Sequence, residues 1–238
     1  MSSETTLPAT PVQHIVSMPF APYYEDDRCT IYHADCFAVL PCITFDVFVT
    51  DPPYGVALGK SAGSGGKHGL QREGYSMLTD SFDEWLGLVP PVMHMITRRA
   101  KRGAAFTGPH INEQPKAAAI GGVYCPAASG RHSWGFKTFL PVLFYGTAPN
   151  LHKGAKPNTL HSNATADKNG HPCPKPTEWM RWLVSLVAEE SDVVVDPFMG
   201  SGTTLVAAKL DGRRAIGIEI EEQYCEIAAK RLSQGVLF

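Results

Sequence analysis

Four carboxylates stand at the ends of apolar segments, and this shared position is the strongest chemical signal in the sequence. Asp35 ends "TIYHAD", Asp51 ends "FDVFVTD", Asp196 ends "VVVD" and Glu219 ends "AIGIE". A single acid in such a place is typical of a turn or a helix cap. Four acids along one sheet edge would repel one another unless a ligand rich in hydrogen-bond donors binds among them. The pattern favours a ligand crevice at the carboxyl ends of parallel strands.

The segment "TDPPYG", Thr50 to Gly55, follows one of these strands and joins an acid to two prolines and an aromatic ring. The run from Phe45 to Val49 before it is rich in β-branched and aromatic side chains, which predicts a buried strand. Taken alone, the segment is typical of a strand-ending turn, because Asp and Pro are common turn formers. Only the other motifs of the chain can distinguish a simple turn from part of a binding site.

The segment "DPFMGSGTT" predicts a nucleoside site. Gly200 and Gly202 leave room for a ligand against the backbone, and the following helix offers free N–H groups. Glu219 comes about 20 residues after the loop, as expected of an acid that binds ribose hydroxyls. Thr203 and Thr204 stand near the third glycine of a dinucleotide fingerprint, and no GK[ST] phosphate loop is present. A nucleoside without a phosphate chain fits better than NAD or ATP.

The elements that must position these residues alternate between strands and helices, which predicts a doubly wound α/β fold with a mostly parallel sheet. Apolar residues at helical spacing fill "TEWMRWLVSLVAEE", and Gly212 is a helix-ending signal. Earlier strands are predicted near Thr30 to Ala34, over Gly103 to Gly108 and over Phe139 to Gly146. Residues 81–100 have helical spacing interrupted by two prolines, which predicts a broken or kinked helix.

One catalytic domain, residues 21–238, is expected to follow a flexible arm over residues 1–20 that is rich in Ser, Thr and Pro. The Gly-, Ser- and Lys-rich stretch near 56–80 and the polar stretch 147–170 are expected to be mobile loops. "RRAKRG", from Arg98 to Gly103, suits either phosphate contacts or a helix C-terminus that faces water. Two tryptophans, Trp85 and Trp134, are expected in the core and not in base stacking.

Composition bounds the function classes. Hydrophobic residues make up 44% and charged residues 18%, which is an ordinary soluble composition. The net charge is −2, so a nucleic-acid partner needs a local basic patch. The six cysteines lack CxxC spacing and are typical of reduced thiols. His161, His171 and Cys173 lack the paired spacing of a metal site, so no metal is expected. Without a signal pattern or a long apolar run, the chain is expected to be cytoplasmic, in a bacterial or phage-infected cell, with no membrane partner.

Four motifs, "DPPYG", "HPCPKP", "DPFMGSGTT" and "IGIEIEEQYCEIAAKRL", occur in this order and resemble the β class of DNA amino-methyltransferases, which act on adenine N6 or cytosine N4. The resemblance runs from about Thr30 to Leu232. DPPY alone also occurs in RNA and protein methyltransferases, but the circularly permuted motif order is specific to this class. The resemblance implies a Rossmann-like methyltransferase fold, S-adenosylmethionine as cofactor and double-stranded DNA as substrate.

The resemblance also implies roles for the matching residues. The cofactor would be held by Asp35 at its adenine, Glu219 at its ribose hydroxyls, Asp196 near its methionine amino group, and the loop residues Phe198, Gly200, Gly202 and Thr203. The target amino group would donate to Asp51 and to the carbonyl of Pro52, in a turn stiffened by Pro53, while Tyr54 stacks on the base. Lys175 in "HPCPKP" matches a family position with a less certain role.

The chemistry suits a DPPY turn, because an exocyclic amine is a poor nucleophile whose lone pair is delocalised into the ring. Two fixed acceptors favour a pyramidal nitrogen and aim its lone pair at the methyl group. The base must leave the duplex at a cost of a few kcal/mol, and stacking on Tyr54 would recover about 1–3 kcal/mol.

Several alternatives stay open. Asp51 favours adenine N6, since Ser often replaces it in cytosine-specific relatives, but cytosine N4 is retained. An RNA methyltransferase is disfavoured by the permuted order, and a non-catalytic binding module by the intact DPPY and Gly motifs. Only loops 56–80, 108–135 and 147–170 are available to read sequence, which favours a short or loosely read site in a solitary or phage-borne enzyme. The oligomeric state is left open, a homodimer included.

Overall fold

A computed structural model describes residues 19–56, 81–127, 131–149, 156–166, 171 and 173–234. Almost all of the expected arm 1–20 and of the stretch 56–80 therefore lies outside the described residues, as do parts of 147–170. The expectations of flexibility there stay predictions.

The described residues form one nine-stranded sheet and a separate two-stranded hairpin. The strands are β1 (Tyr24–Glu25), β2 (Cys29–His33), β3 (Val47–Thr50), β4 (Arg102–Phe106), β5 (Ala119–Tyr124), β6 (Arg131–His132), β7 (Gly135–Phe136), β8 (Phe139–Gly146), β9 (Thr159–His161), β10 (Val193–Asp196) and β11 (Arg214–Glu219). The sheet order is β1-β2-β11-β10-β3-β4-β8-β5-β9, while β6 pairs with β7. Strands β2, β11, β10, β3 and β4 are all parallel, which confirms the predicted mostly parallel sheet.

Five α-helices cover the two faces of this sheet in the described part of the chain. They are α1 (Cys36–Val39), α2 (Phe82–Arg99), α3 (Thr177–Val187), α4 (Thr203–Leu210) and α5 (Glu222–Ser233), and a 3-10 turn over Leu40–Cys42 follows α1. None of the helices in the described ranges is long and apolar enough to cross a bilayer.

Alternate residues of the buried strands supply the two apolar layers, as the period of a strand requires. In β3, Val47 and Val49 belong to the layer that contains Leu183 of α3. Phe48, between them, belongs to the opposite layer, with Trp85 of α2. The central strands are therefore buried on both faces, which is why they read as continuous apolar runs in the sequence.

The strand order reverses direction between β3 and β10. From β3 the chain passes through α2 to β4 on one side, whereas from β10 it passes through α4 to β11 on the other side. In open α/β sheets the carboxyl ends of two such strands form the edge of a ligand crevice. Asp51 follows β3 and Asp196 ends β10, so the two motifs flank this switch point.

Of the break or kink predicted at Pro90 and Pro91, the break is wrong, because α2 runs without interruption through both prolines, and the kink stays a prediction. The prolines leave the carbonyls of Leu86 and Gly87 without N–H donors. Both of these residues are exposed, so water can satisfy the carbonyls. A capping box between Ser81 and Glu84 further stabilises the start of the helix.

Two expectations about loops change, and one open alternative is decided. Strand β5 lies within residues 108–135, which were expected to be loop, and the short strand β9 lies within 147–170. The basic segment "RRAKRG" lies at the sheet edge opposite the crevice, where Arg102 pairs with buried Asp192 at 2.8 Å and Lys101 pairs with Asp46 at 2.8 Å. These contacts support the structural interpretation of that segment over phosphate binding.

Two glycines with open space around them should respond oppositely to the same substitution. A Cβ added to Gly87, in α2, or to Gly212, after α4, would meet no neighbouring atom within 4 Å, but only Gly212 has a positive φ, of 71°. Gly87→Ala is expected to raise the free energy of unfolding by about 0.5–1 kcal/mol, because alanine restricts the unfolded chain and favours helix. Gly212→Ala is expected to lower it by about 1–2 kcal/mol through left-handed strain. Urea denaturation of both variants measures these changes, and equal signs would contradict the backbone explanation.

Candidate active site

The sheet brings the four sequence-predicted acids to one edge. In sheet order, Asp35 follows β2, Glu219 ends β11, Asp196 ends β10 and Asp51 follows β3. These four strands are neighbours and parallel. The predicted cluster of carboxylates at the carboxyl ends of the strands is therefore confirmed, and the question becomes what each carboxylate binds.

Asp51 is held from two sides. The Tyr54 hydroxyl donates to its Oδ1 at 2.6 Å, and the Lys175 ammonium forms an ion pair with its Oδ2. The side chains of Lys175 and Asp51 are only 12% and 22% exposed. Lys175 Nζ also lies 5.3 Å from the centre of the Tyr54 ring and 5.4 Å from that of Phe106, within cation–π distance. Asp51 is thus a fixed acceptor at the edge of the crevice, with Tyr54 beside it.

The rigid turn that carries Asp51 and Tyr54 is anchored by Trp85 of α2. The Trp85 indole N–H donates to the carbonyl of Pro53 at 2.8 Å. Within the described residues, Pro52 is buried and its carbonyl accepts none of the hydrogen bonds that fix this turn. Gly108 lies against the same turn, since a Cβ there would be 2.8 Å from Tyr54 Cβ. Trp85 was expected to be a core residue and is buried, but no local sequence signal indicates this hydrogen bond.

Asp196 is hydrogen-bonded to residues on both sides of the switch point. It accepts from the Thr50 hydroxyl at 2.6 Å, the Thr204 hydroxyl at 2.5 Å and the Phe198 N–H at 3.1 Å. Only 2% of Asp196 is exposed, and burial raises its pKa to about 6. Asp196 therefore ties β3, β10 and α4 together, whatever else it binds.

Glu219 fixes the start of the Gly loop. Its Oε2 accepts from the Gly200 N–H at 2.9 Å, and its Oε1 accepts from the N–H groups of Ile220 and Glu221, each at 2.9 Å. Burial raises the pKa of Glu219, and these backbone donors oppose that rise. A carboxylate has about four lone-pair positions, so Glu219 can still accept from a ligand hydroxyl.

The rest of the Gly loop is fixed by α5. Gly202 has a φ of 76° at the start of α4, and a Cβ there would be 2.7 Å from that of Ala228. The Arg231 guanidinium donates to the Ser201 carbonyl at 2.6 Å and to the buried Thr203 hydroxyl at 3.1 Å. In this structure Thr203 thus faces a protein partner, and a cofactor contact of its own stays a prediction.

Asp35 and Phe198 lie at the two sides of this loop region. Asp35 is exposed and accepts from the Phe37 N–H at 2.8 Å. It is therefore the N-cap residue of α1, which is a common role for a single acid after a strand. Phe198 is partly buried against the apolar layer of α2. Roles for both in cofactor binding stay predictions.

His171, which sequence reasoning passed over as a weak metal candidate, lies against the Gly loop. A Cβ at Gly200 would be 2.9 Å from His171 Nε2, and the His171 ring centre is 4.7 Å from that of Tyr224. Burial lowers the pKa of His171 to about 4, so the ring is neutral at pH 7. His171 and Lys175 stand four residues apart in "HPCPKP", so this one segment contacts both the Gly loop and Asp51. Within the described ranges, no three His, Cys, Asp or Glu side chains are placed to hold a metal ion.

Several known proteins are similar to this chain. Residues 112–230 match the family model N6_N4_Mtase, described as DNA methylase. Type II methyltransferase M2.LlaDCHI of Lactococcus lactis subsp. cremoris is 27% identical over 91% of this chain and 94% of its own length. Type II methyltransferase M2.DpnII of Streptococcus pneumoniae is 27% identical over 89% of this chain and 92% of its own length.

Solved structures share the fold. The M1.HpyAVI–SAM complex has a TM-score of 0.61 and 22% identity, over 86% of this chain and 99% of that one. The PvuII DNA methyltransferase, which is cytosine-N4-specific, has a TM-score of 0.67 and 16% identity, over 93% of this chain and 92% of that one. At these identities the likeness supports the fold alone.

The pH dependence of stability should reveal the charge of buried Asp196. Its folded pKa of about 6 exceeds the ordinary 3.8, so its contribution to stability is complete below pH 3.8 and is lost as pH rises through 6. Asp196→Asn keeps an acceptor for Thr50 and Phe198 and donates to Thr204. We expect it to be more stable than wild type above pH 6, by roughly 1–3 kcal/mol at about 1.4 kcal/mol per pKa unit, and to lose this advantage near pH 4.

Thermal and urea denaturation at pH 4 and pH 8 measure this difference. Asp192→Asn is the matched control, because Asp192 is equally buried but pairs with Arg102 at 2.8 Å. It should lose stability at pH 8, since the guanidinium loses its buried anion and keeps only the exposed carboxylate of Glu189, at 3.3 Å. A gain for Asp196→Asn that does not change with pH would contradict the assigned charge.

Proposed function

This chain belongs to the N6_N4_Mtase family of DNA methylases, and on that premise we propose that it transfers a methyl group from S-adenosylmethionine to the N6 amino group of an adenine extruded from double-stranded DNA. The observation that carries the proposal is the pairing of two half-sites across the switch point of the sheet. The turn with Asp51 and Tyr54 stands on one side, and the Gly loop with Glu219 stands on the other. One half suits a planar amine and the other suits a nucleoside.

The residues present fit the proposed cofactor. S-adenosylmethionine supplies a sulfonium methyl group, which is the electrophile. Glu219 is a partly buried carboxylate with lone pairs left for ribose hydroxyls, and Gly200 has a φ of 51° and no side chain to fill the crevice. Asp35 would meet the adenine end and Phe198 would line the pocket. Asp196 already accepts three hydrogen bonds, which supports a role in fixing the loop as much as one in binding the methionine amino group.

The DPPY turn would prepare the target nitrogen. Asp51 and the Pro52 carbonyl would accept its two hydrogen atoms, which favours a pyramidal nitrogen with its lone pair aimed at the methyl carbon. S-adenosylmethionine would supply the methyl group, and the methylated nitrogen would then lose one proton. Asp51 would be the carboxylate beside that nitrogen and would take the proton before it passes to water. Tyr54 would stack on the base.

Lys175 would act as a positioning residue through Asp51. Its ammonium group pairs with Asp51 Oδ2 while Tyr54 holds Oδ1, so the carboxylate cannot rotate away from the crevice. The low exposure of both side chains strengthens this pair relative to one in open solvent. Each oxygen keeps a second lone pair for the incoming amine.

The choice of adenine over cytosine rests on Asp51 in the DPPY motif, and cytosine N4 is the second candidate. Access to DNA in the proposed role supports a cytoplasmic location. The direct test is to express the chain in cells that lack modification enzymes and to map modified bases in their DNA. Methylated adenine in a short sequence context is the expected result, methylated cytosine would replace the adenine assignment, and methylated RNA with unmodified DNA would overturn the proposal.

Asp51→Asn should separate catalysis from cofactor binding. Because Asn keeps the shape of Asp51 but not its charge, we expect methyl transfer to duplex DNA to fall by on the order of 100- to 10,000-fold. The affinity for S-adenosylmethionine should stay within about twofold, as the Gly loop is untouched. Asp46→Asn is the control, since Asp46 lies just before the same strand and also pairs with a lysine, at 2.8 Å. Near-normal turnover in Asp51→Asn would rule out the role given to Asp51.

Gly200→Val should instead abolish cofactor binding. A side chain at Gly200 would stand in the crevice and against His171, at a φ of 51°. Gly212→Val is the matched control, because Gly212 also has a positive φ, of 71°, but has open space around it. Calorimetric titration with S-adenosylmethionine should show no binding to the first variant and normal binding to the second. Equal affinities in both would exclude the Gly loop as the cofactor site.

A further inference from the structure

A two-stranded hairpin projects beyond the sheet and exposes large apolar side chains. Strands β5 and β8 pair up to Tyr124 and Phe139, the bond from the Cys125 N–H to the Thr138 carbonyl extends the pairing, and β6 and β7 then form the tip. Trp134, in the turn between β6 and β7, is 94% exposed, and Phe136 is 72% exposed. The expectation that Trp134 is a core residue is therefore wrong. Exposed aromatic surface of this extent marks an interaction site.

This hairpin begins beside the proposed base site. Lys137 directly follows β7, and its ammonium lies 5.7 Å from the centre of the Tyr54 ring. The pKa of Lys137 is lowered by burial and then by the nearby charge of Lys175, while Asp51 opposes that change. The residue that follows the hairpin thus contacts the DPPY half of the crevice, while Trp134 and Phe136 in the hairpin are exposed.

The charge of this part of the chain is opposite to that of the rest. Between Pro115 and Ala166 the sequence has five Lys or Arg residues and neither Asp nor Glu, although the whole chain has a net charge of −2. This range contains β5 to β9 and therefore the hairpin. A cationic segment with exposed aromatic rings is complementary to the phosphates and bases of a nucleic acid. An uncharged apolar surface would not match its positive charges.

We propose that residues 131–136 form a wedge that enters the duplex, with Trp134 stacked on the bases next to the extruded one. The inference rests on the proposed function and adds to it the group that stabilises the opened duplex. Apolar wedges of this kind unstack base steps, and extrusion is least costly where a base pair is already weak. Trp134 offers a large, exposed planar surface, and it lies three residues before Lys137, whose ammonium is 5.7 Å from the centre of the ring that would receive the flipped base.

The test uses the full chain and a duplex that contains the modified sequence mapped in cells. A second duplex carries a mismatched base opposite the target, which weakens the pair. Trp134→Ala should lower kcat/KM on the matched duplex by on the order of 10- to 100-fold. It should come within about threefold of wild type on the mismatched duplex, where less stacking energy is needed. Its affinity for S-adenosylmethionine and its melting temperature should match those of wild type.

Two controls isolate the ring. Trp134→Phe keeps an aromatic plane and should retain most activity on the matched duplex. Tyr23→Ala removes another exposed aromatic residue, beside β1 at the opposite sheet edge, and should change neither duplex reaction.

The outcomes are distinguishable. Wild-type activity of Trp134→Ala on the matched duplex would overturn the wedge and leave the hairpin to another partner, such as a protein. An equal loss on both duplexes would also overturn it, since the hairpin would then act on something other than base opening. A wild-type protein that methylates neither duplex would refute the proposed function itself, and the wedge with it.

Discussion

The structure depends on holding three carboxylates close together without strong repulsion between their negative charges. Asp51, Asp196 and Glu219 lie on three adjacent strand ends, and each has its own donors. A lysine and a tyrosine hold Asp51, two threonine hydroxyls and one backbone N–H hold Asp196, and three backbone N–H groups hold Glu219. Because these donors come from β3, the Gly loop, α4 and the segment before α3, solving the charge problem also fixes the relative positions of those elements.

Much of the central sheet and its acids could be predicted from the sequence, because buried parallel strands are continuous apolar runs and their last residues are recognisable. The wrong predictions concern features that depend on exposure to solvent or on contacts with residues distant in sequence. The prolines of α2 are tolerated because the carbonyls they leave unpaired face water, which the local sequence does not record. Trp134 was expected inside because tryptophan is apolar, yet its place in a projecting turn exposes it.

The site contacts that were missed join residues far apart in sequence. Asp51 and Lys175 are 124 positions apart, and Trp85 and Pro53 are 32 apart. Motif spacing marked the Asp51 turn and the lysine separately but gave no distance between them. The segment from His171 to Lys175 joins the Gly loop to the Asp51 turn, so a change in either half can reach the other through five residues of chain.

The clamp of Arg231 on the Gly loop has a consequence for the order in which the protein is made. A domain generally folds as a unit, so its early elements wait for the later ones that they contact. Strand β3 and its turn are made early but acquire Lys175 only later, and the Ser201 carbonyl and Thr203 hydroxyl wait for the guanidinium of α5. The Gly loop therefore cannot take its described shape until α5, the last of the described helices, has been made.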